Sequence, residues 1–221
     1  MAAELVRPIL TIDVVLLTLH DDRIHVVLQA REKAPFAGRL ALVGGYVHPE
    51  EDQSTQAAAA RVLRDKAGLS VRLLEQLMTF SGGDRDPRGW SASVSYYALF
   101  PHEDLIARGD ASLKMLPFAE AKGLPFDHDG IVAGAMERCR RRAAYSSLPA
   151  FLLPSAFTLP ELRRAYEAAL GRSLNDSAFR RKIDELRMVE QVDGSLSKAT
   201  ARPAQLFRLA KSGVVEFDRT V

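Results

Sequence analysis

Gly44-Gly45, then Glu51, then Arg61-Val62-Leu63-Arg64-Asp65-Lys66-Ala67-Gly68-Leu69 form the most informative part of this chain. Residues 40–43 before the glycines are apolar and favour a short strand. The spacing predicts a helix over residues 54–67 that ends at Gly68, because glycine readily adopts the left-handed backbone found after a helix. A strand, a glycine pair, a loop and a helix therefore follow one another.

The sequence around this unit indicates a sheet with a helix closing it. Residues 9–19 and 24–30 are rich in β-branched and aliphatic side chains and flank Asp21-Asp22-Arg23, a hairpin pattern. Two further strands are predicted at 71–80 and 91–100, with an exposed charged loop between them at 84–89. A helix at 129–144 closes this unit.

The chain changes character near residues 145–154, where prolines interrupt the helical pattern. Thr158 and Glu161 have the spacing of a capping box and begin a helix that ends at Gly171. A second helix begins at Asn175 or Asp176, and residues 187–209 favour a hairpin. Helix, turn, helix and hairpin describe a winged helix, so we divide the chain into residues 1–147 and 148–221.

Composition excludes several classes of protein. With 47% hydrophobic and 26% charged residues, the 221-residue chain is neither disordered nor a rod. It lacks a long apolar run and a secretory signal pattern, so we expect a cytoplasmic protein without a membrane span. A single cysteine, Cys139, excludes an internal disulfide. We interpret it as an incidental helix residue, with lowering of its pKa by the neighbouring arginines as the alternative.

Net charge is unevenly distributed along the chain. Residues 148–221 hold 12 Lys and Arg against 9 Asp and Glu, a net +3 within a total of +2. This modest excess permits contact with nucleic acid but is also common in ordinary domains. Sequence motifs are needed to distinguish a nucleic-acid-binding domain from an ordinary one.

The first motif resembles the Nudix box of a family that uses divalent cations on diphosphate substrates. The matching residues are Gly45, Glu51, Arg61, Leu63, Gly68 and Leu69. Where the family has three glutamates on its helix, this chain has Val62, Asp65 and Lys66. These positions share one helical face, but their charges sum to about zero, and an ammonium group repels a cation.

The altered metal face predicts a protein with no catalytic residues, no metal ligands and no cofactor. The alternative is an active Nudix hydrolase resembling ADP-ribose pyrophosphatase, in which Glu51 and Asp65 would hold one weak Mg²⁺. Val62 and Lys66 argue against this alternative. Both readings remain open from the sequence.

Losing the metal glutamates does not abolish ligand binding, because arginines can hold a diphosphate and glycine permits close backbone approach. We expect an ADP-ribose-like effector to be bound by Arg31, Arg39, Gly44, Gly45, Glu51, Arg61, Lys66, Arg85 and Arg88. Arg61 has an alternative role as the partner of Glu51 in a structural ion pair. Asp127 and His128 are interpreted as helix-entry residues without a catalytic role.

A second set of motifs resembles the NrtR family, the Nudix-related transcriptional regulators of NAD metabolism. It spans about residues 8–209 and includes Arg85-Asp86-Pro87-Arg88-Gly89, Phe126-Asp127-His128-Asp129, Leu152-Leu153-Pro154, Phe179-Arg180-Arg181-Lys182 and Arg202-Pro203-Ala204-Gln205-Leu206-Phe207-Arg208. The resemblance implies an α+β protein with an N-terminal Nudix-like α/β/α sandwich on a mixed sheet. A C-terminal winged helix-turn-helix follows.

The same resemblance implies a homodimeric repressor of NAD-biosynthesis genes that senses ADP-ribose and binds a palindromic double-stranded DNA operator. Recognition helices present arginines to guanine edges or phosphates. The expected DNA contacts are Arg172, Ser177, Arg180, Arg181, Lys182, Lys198 and Arg202. Two alternatives remain: these cations form an ordinary solvated surface, or the C-terminal domain is a protein-binding adaptor.

Overall fold

The computed structural model describes residues 7–109, 112–197 and 204–218. The strands are β1 Ile9–His20, β2 Arg23–Ala30, β3 Leu40–Ala41, β4 Val43–Tyr46, β5 Leu73–Gly82, β6 Ser91–Leu99, β7 Leu113–Pro117, β8 Val189–Ser197 and β9 Ala204–Leu209. The helices are α1 Thr55–Val62, α2 His102–Arg108, α3 His128–Ala143, α4 Leu159–Leu170 and α5 Asp176–Leu186. Within these ranges, no helix has the length and apolar character needed to cross a bilayer.

A mixed sheet forms the centre of the N-terminal domain. Its order is β3-β2-β1-β6-β5, with β4 also paired to β1 and β7 to β2. β1 runs parallel to β6 and antiparallel to β2 and β4. β1 is central because residues 12–17 are buried on both faces of the sheet, which suits its nearly continuous apolar sequence.

Helices cover both faces of this sheet. Side chains alternate along β1, so Ile12 and Val14 face α1 and its continuation, while Val15 and Leu17 face α3. The predicted α/β/α sandwich is therefore confirmed. Cys139 of α3 is fully buried, and burial raises the pKa of its thiol to about 12, which fits a structural helix residue and not a reactive thiol.

The helix that follows the glycine pair begins and ends as the sequence predicts. The Ser54 side chain accepts a hydrogen bond from the Ala57 amide, and Gly68 adopts the left-handed conformation with φ of 52°. The last turn, Leu63–Ala67, is π-helical. This turn changes how residues 65 and 66 are presented relative to a regular α-helix.

The C-terminal domain is a winged helix, as predicted. α4 begins with a complete capping box between Thr158 and Glu161, and its left-handed Gly171 opens a short turn into α5. Leu162, Tyr166, Phe179 and other apolar residues of α4 and α5 form a separate buried cluster. β8 and β9 form the antiparallel hairpin that makes the wing.

The two domains meet where α3 ends. The Tyr166 hydroxyl of α4 donates to the Ser146 carbonyl at 2.8 Å. The last described segment returns to the same place, since the Phe217 amide donates to the Tyr145 carbonyl at 2.7 Å. On the opposite side, Arg164 of α4 lies 3.0 Å from Asp22 in the β1–β2 turn. The domain boundary after residue 147 stays a prediction.

The capping box gives a stability prediction. Thr158→Ala removes the hydroxyl that accepts a hydrogen bond from the Glu161 amide. We expect the free energy of unfolding to fall by about 1 kcal/mol. Ser173→Ala, in the exposed turn between α4 and α5, should change it by less than about 0.5 kcal/mol. Urea unfolding of both variants measures this difference. Equal midpoints would show that the cap does not stabilise α4 in the folded domain.

Candidate ligand pocket and nucleic-acid interface

A cavity of about 520 Å³ opens beside the glycine pair. It lies among β1, β2 and β4, the π-helical turn, the loop after β5 and the start of α3. Six residues predicted to bind ligand line it: Arg31, Gly44, Gly45, Lys66, Arg85 and Arg88. The sequence did not predict the other functional side chains of its wall, which include Asp13, Tyr46, Asp86, Phe126 and His128.

Asp13 of β1 forms the floor of the pocket. Its carboxylate lies 3.5 Å from Nε2 of His128 and 3.6 Å from a guanidinium nitrogen of Arg85. Burial alone would raise the pKa of Asp13, but His128, Ser93 and Arg85 together hold it below its usual value. The floor therefore carries a buried carboxylate whose charge is already balanced by His128 and Arg85.

His128 connects this floor to Leu42, the residue between β3 and β4. Its Nδ1 accepts a hydrogen bond from the Leu42 amide at 3.1 Å. The ring proton is therefore on Nε2, which faces Asp13. The preceding residue, Asp127, accepts a two-pronged hydrogen bond from Arg85 at 2.8 and 2.9 Å. These two residues do stand at the helix entry, and they also brace the pocket.

The glycine pair allows the chain to pass close to this floor. A Cβ on Gly44 would lie 2.2 Å from Oδ1 of Asp13 and 2.7 Å from the Ile12 carbonyl. A Cβ on Gly45 would lie 3.2 Å from Cγ2 of Val62. Position 44 therefore requires glycine, since any side chain would displace backbone or the buried carboxylate.

Two of the pocket arginines are already neutralised by carboxylates. Arg85, with a side chain only 6% exposed, pairs with Asp127. Arg88 forms a fork on Asp86 at 2.9 and 2.6 Å and packs over the Tyr46 ring at 5.6 Å. These side chains shape the wall, and their positive charge is largely compensated.

Arg31 and Lys66 differ, because no carboxylate of the described residues lies within ion-pair distance of either. Arg31 donates to the Pro35 carbonyl at 2.8 Å and lies 4.8 Å from the Phe126 ring centre. Lys66 donates to the Gly44 carbonyl. Burial lowers the pKa of both, with further lowering of Arg31 by Arg88 and of Lys66 by Arg31. The pocket therefore favours an anion.

Three predicted ligand residues lie away from the pocket wall. Arg61 forms a fork on Asp52 at 2.8 and 2.7 Å and also donates to the Tyr46 carbonyl, so its role is structural and its partner is not Glu51. Glu51 hydrogen-bonds His48 instead. Arg39 donates to the Gly123 carbonyl, outside the pocket.

The residues present do not fit the divalent cation that a Nudix box implies. Val62 is buried against Gly45, and Asp65 pairs with Arg64 at 3.0 Å at the rim. Across residues 7–109, 112–197 and 204–218, no group of three or more His, Cys, Asp or Glu side chains is placed to hold a metal ion. Lys66 places an ammonium group at this face.

The candidate nucleic-acid interface is the outer face of α5. Ser177, Arg180 and Arg181 are exposed, and Lys182 is half-buried. A groove of about 400 Å³ is lined by Arg172, Arg181 and Lys182, among others. Arg180 lies 2.8 Å from Asp176, and Arg181 lies 3.7 Å from Glu185. The other two predicted contacts, Lys198 and Arg202, lie outside the described residues.

Both halves of the chain match known families. Residues 9–135 match the NUDIX domain, and residues 149–209 match the NrtR DNA-binding winged helix domain. The chain is 37% identical over 207 residues to the ADPR responsive transcriptional repressor NtrR of Acinetobacter baylyi, covering 92% of this chain and 82% of that protein. The chain belongs to the NrtR family. The resemblance and the fold class inferred from the sequence are thereby confirmed.

Solved NrtR structures agree along nearly the whole chain. Shewanella oneidensis NrtR complexed with a 27mer DNA superposes with a TM-score of 0.86 at 33% identity, covering 96% of this chain and 99% of that one. The NUDIX domain of the same NrtR, complexed with ADP ribose, has a TM-score of 0.54 at 34% identity, covering 61% and 90%.

The Arg61–Asp52 pair gives a pH prediction. Hydrogen bonds from Arg61, with a further one from the His48 amide, lower the pKa of Asp52 from 3.8 to about 2. A carboxyl with a lowered pKa stabilises the fold above its unfolded pKa, and this contribution is lost as the pH falls through its folded pKa. The thermal midpoint of Asp52→Asn should lie below wild type at neutral pH, and the gap should close between about pH 4 and pH 2.

Asp65→Asn is the matched control, because Asp65 forms only an exposed pair with Arg64. Its thermal midpoint should follow wild type across the whole pH range. A gap for Asp52→Asn that is constant with pH would contradict the assignment of the effect to this carboxylate's charge.

Proposed function

We propose that this NrtR-family chain is an ADP-ribose-responsive transcriptional repressor of NAD-metabolism genes, acting in the cytoplasm as a homodimer on a double-stranded DNA operator. The observation that carries the proposal is a pocket with two uncompensated cations in the same chain as a winged helix with an exposed cationic helix. The Acinetobacter baylyi relative, an ADPR responsive transcriptional repressor, supports it. ADP-ribose is NAD without its nicotinamide. An effector derived from NAD is therefore a suitable signal for the regulation of NAD-metabolism genes.

The pocket suits ADP-ribose in charge and size. Each phosphate of its diphosphate carries one negative charge, and Arg31 and Lys66 both line the pocket without a carboxylate of the described residues within ion-pair distance. The Phe126 and Tyr46 rings add flat apolar surface to the wall. A volume of about 520 Å³ is typical of small-molecule sites.

The winged helix suits duplex DNA. Arg180 and Arg181 lie in the first half of α5 and point to solvent, as expected for a helix that enters a major groove. Their carboxylate partners, Asp176 and Glu185, hold them only through exposed pairs that contribute little energy. Phosphates or base edges can therefore replace these partners at small cost.

DNA binding should depend on these two arginines and respond to ADP-ribose. We expect Arg180→Ala/Arg181→Ala to weaken operator binding by about tenfold or more, because two charge-assisted contacts are lost. We also expect ADP-ribose to change the operator affinity of the wild type. The measurement is fluorescence anisotropy of the full chain on duplexes from upstream of NAD-synthesis genes, with a scrambled duplex for comparison.

Arg140→Ala/Arg141→Ala is the matched control. These exposed arginines of α3 also pair with a carboxylate of their own helix, Glu137, at 3.2 and 2.7 Å. Their removal lowers the net charge equally and should leave operator affinity within about twofold. Unchanged affinity for Arg180→Ala/Arg181→Ala would instead favour a protein-binding adaptor, and an ADP-ribose effect of zero would remove the sensor function.

The altered metal face predicts that this chain does not hydrolyse its effector. Incubation with ADP-ribose and Mg²⁺ or Mn²⁺, followed by chromatography of the nucleotides, should yield no AMP above a protein-free control. Because the described residues hold no cluster of carboxylates, we expect no cation to be held that could activate water at neutral pH. Robust hydrolysis that is abolished by Glu51→Gln would contradict this proposal and identify an active Nudix enzyme.

A further inference from the structure

The ammonium group of Lys66 stands on the helical face where the Nudix pattern requires a carboxylate. Lys66 lies in the π-helical turn, and its side chain reaches the glycine pair, where it donates a hydrogen bond to the Gly44 carbonyl. A Cβ on Gly45 would lie 3.7 Å from Nζ. The cation is thus held against the same backbone that passes over Asp13.

The surroundings of Lys66 do not neutralise it. Asp13 and Glu32 both raise the Lys66 pKa, but neither carboxylate forms an ion pair with Lys66, and Asp13 is already paired with His128 and Arg85. Asp65 turns away to Arg64. Burial and the positive charge of Arg31 both disfavour the charged lysine. An anion between Lys66 and Arg31 would remove this repulsion, so the two cations form an incomplete site.

We propose that Lys66 supplies, from the protein itself, the positive charge on the effector's diphosphate that a divalent cation supplies in Nudix enzymes, so that effector binding requires no metal ion. This rests on the proposed function of the pocket. A side-chain ammonium differs from a bound metal in its consequences. It stabilises the anion by hydrogen bonds and charge but brings no bound water that could attack the diphosphate.

A purely structural role for Lys66 makes different predictions. If Lys66 only ties its turn to the Gly44 carbonyl, its loss should lower stability, and effector affinity should follow stability alone. If it binds the diphosphate, affinity should follow the charge at position 66 in folded variants. Charge-conserving and charge-reversing substitutions therefore separate the two roles.

The test is calorimetric titration of the full chain with ADP-ribose, once with EDTA and once with millimolar Mg²⁺. Wild type should bind with a Kd that agrees within about twofold in the two conditions. Lys66→Met should weaken binding by about tenfold or more in both, and Lys66→Arg should recover most of the loss. Lys66→Glu should bind poorly in EDTA and improve with Mg²⁺, because it restores a carboxylate for the cation.

Lys122→Met is the matched control, since Lys122 is an exposed lysine outside the pocket and should bind as wild type. Thermal unfolding of each variant verifies that it is folded. The proposal is overturned if wild type needs Mg²⁺ for binding, or if folded Lys66→Met binds as tightly as wild type. No binding of ADP-ribose by wild type in either condition would refute the proposed sensor function itself, an outcome distinct from both.

Discussion

The buried carboxylate of Asp13 is the constraint on which the rest of the N-terminal domain depends. A charge inside a sheet is tolerated only when it is paired, and its partners come from distant parts of the chain. Arg85 follows β5, His128 begins α3, and Gly44 lies in β4 with no room for a side chain. Satisfying one carboxylate therefore fixes the loop after β5, the entry of α3 and the path of the glycine pair.

Fixing the start of α3 also fixes its far end, because an α-helix is a rigid element. Arg142, in its last turn, contacts Glu75 of β5, the Tyr97 hydroxyl and Glu216 near the end of the described chain. Four residues after Arg142, the chain meets the winged helix through Ser146, whose carbonyl accepts a hydrogen bond from Tyr166 of α4. A single helix thus touches the pocket at one end and the DNA-binding domain at the other.

Local patterns in the sequence predict the fold well, but they predict the site only in part. Capping residues and apolar periodicity place α1, α4 and the β1–β2 hairpin, since these signals act over a few residues. The short α2 and β7 were not predicted, although Gly109 ends α2 in the left-handed conformation typical of a helix end. The sequence predicted Arg31, Arg88 and Arg61 alike as ligand contacts. Only the fold shows that Asp52 neutralises Arg61. A lone aspartate in an apolar strand, Asp13, was the available signal for the floor.

Pairing, rather than the number of cations, determines what the pocket can bind. Arg85 and Arg88 each hold a carboxylate and so contribute shape, with little net charge. Arg31 and Lys66 hold only backbone carbonyls, whose partial charges do not compensate a full one. Such a division favours discrimination by charge: a neutral nucleoside would leave both cations without an anionic partner, whereas a diphosphate would supply one for each. The same division supports the proposed function, in which a Nudix box without its metal-binding face still binds a diphosphate.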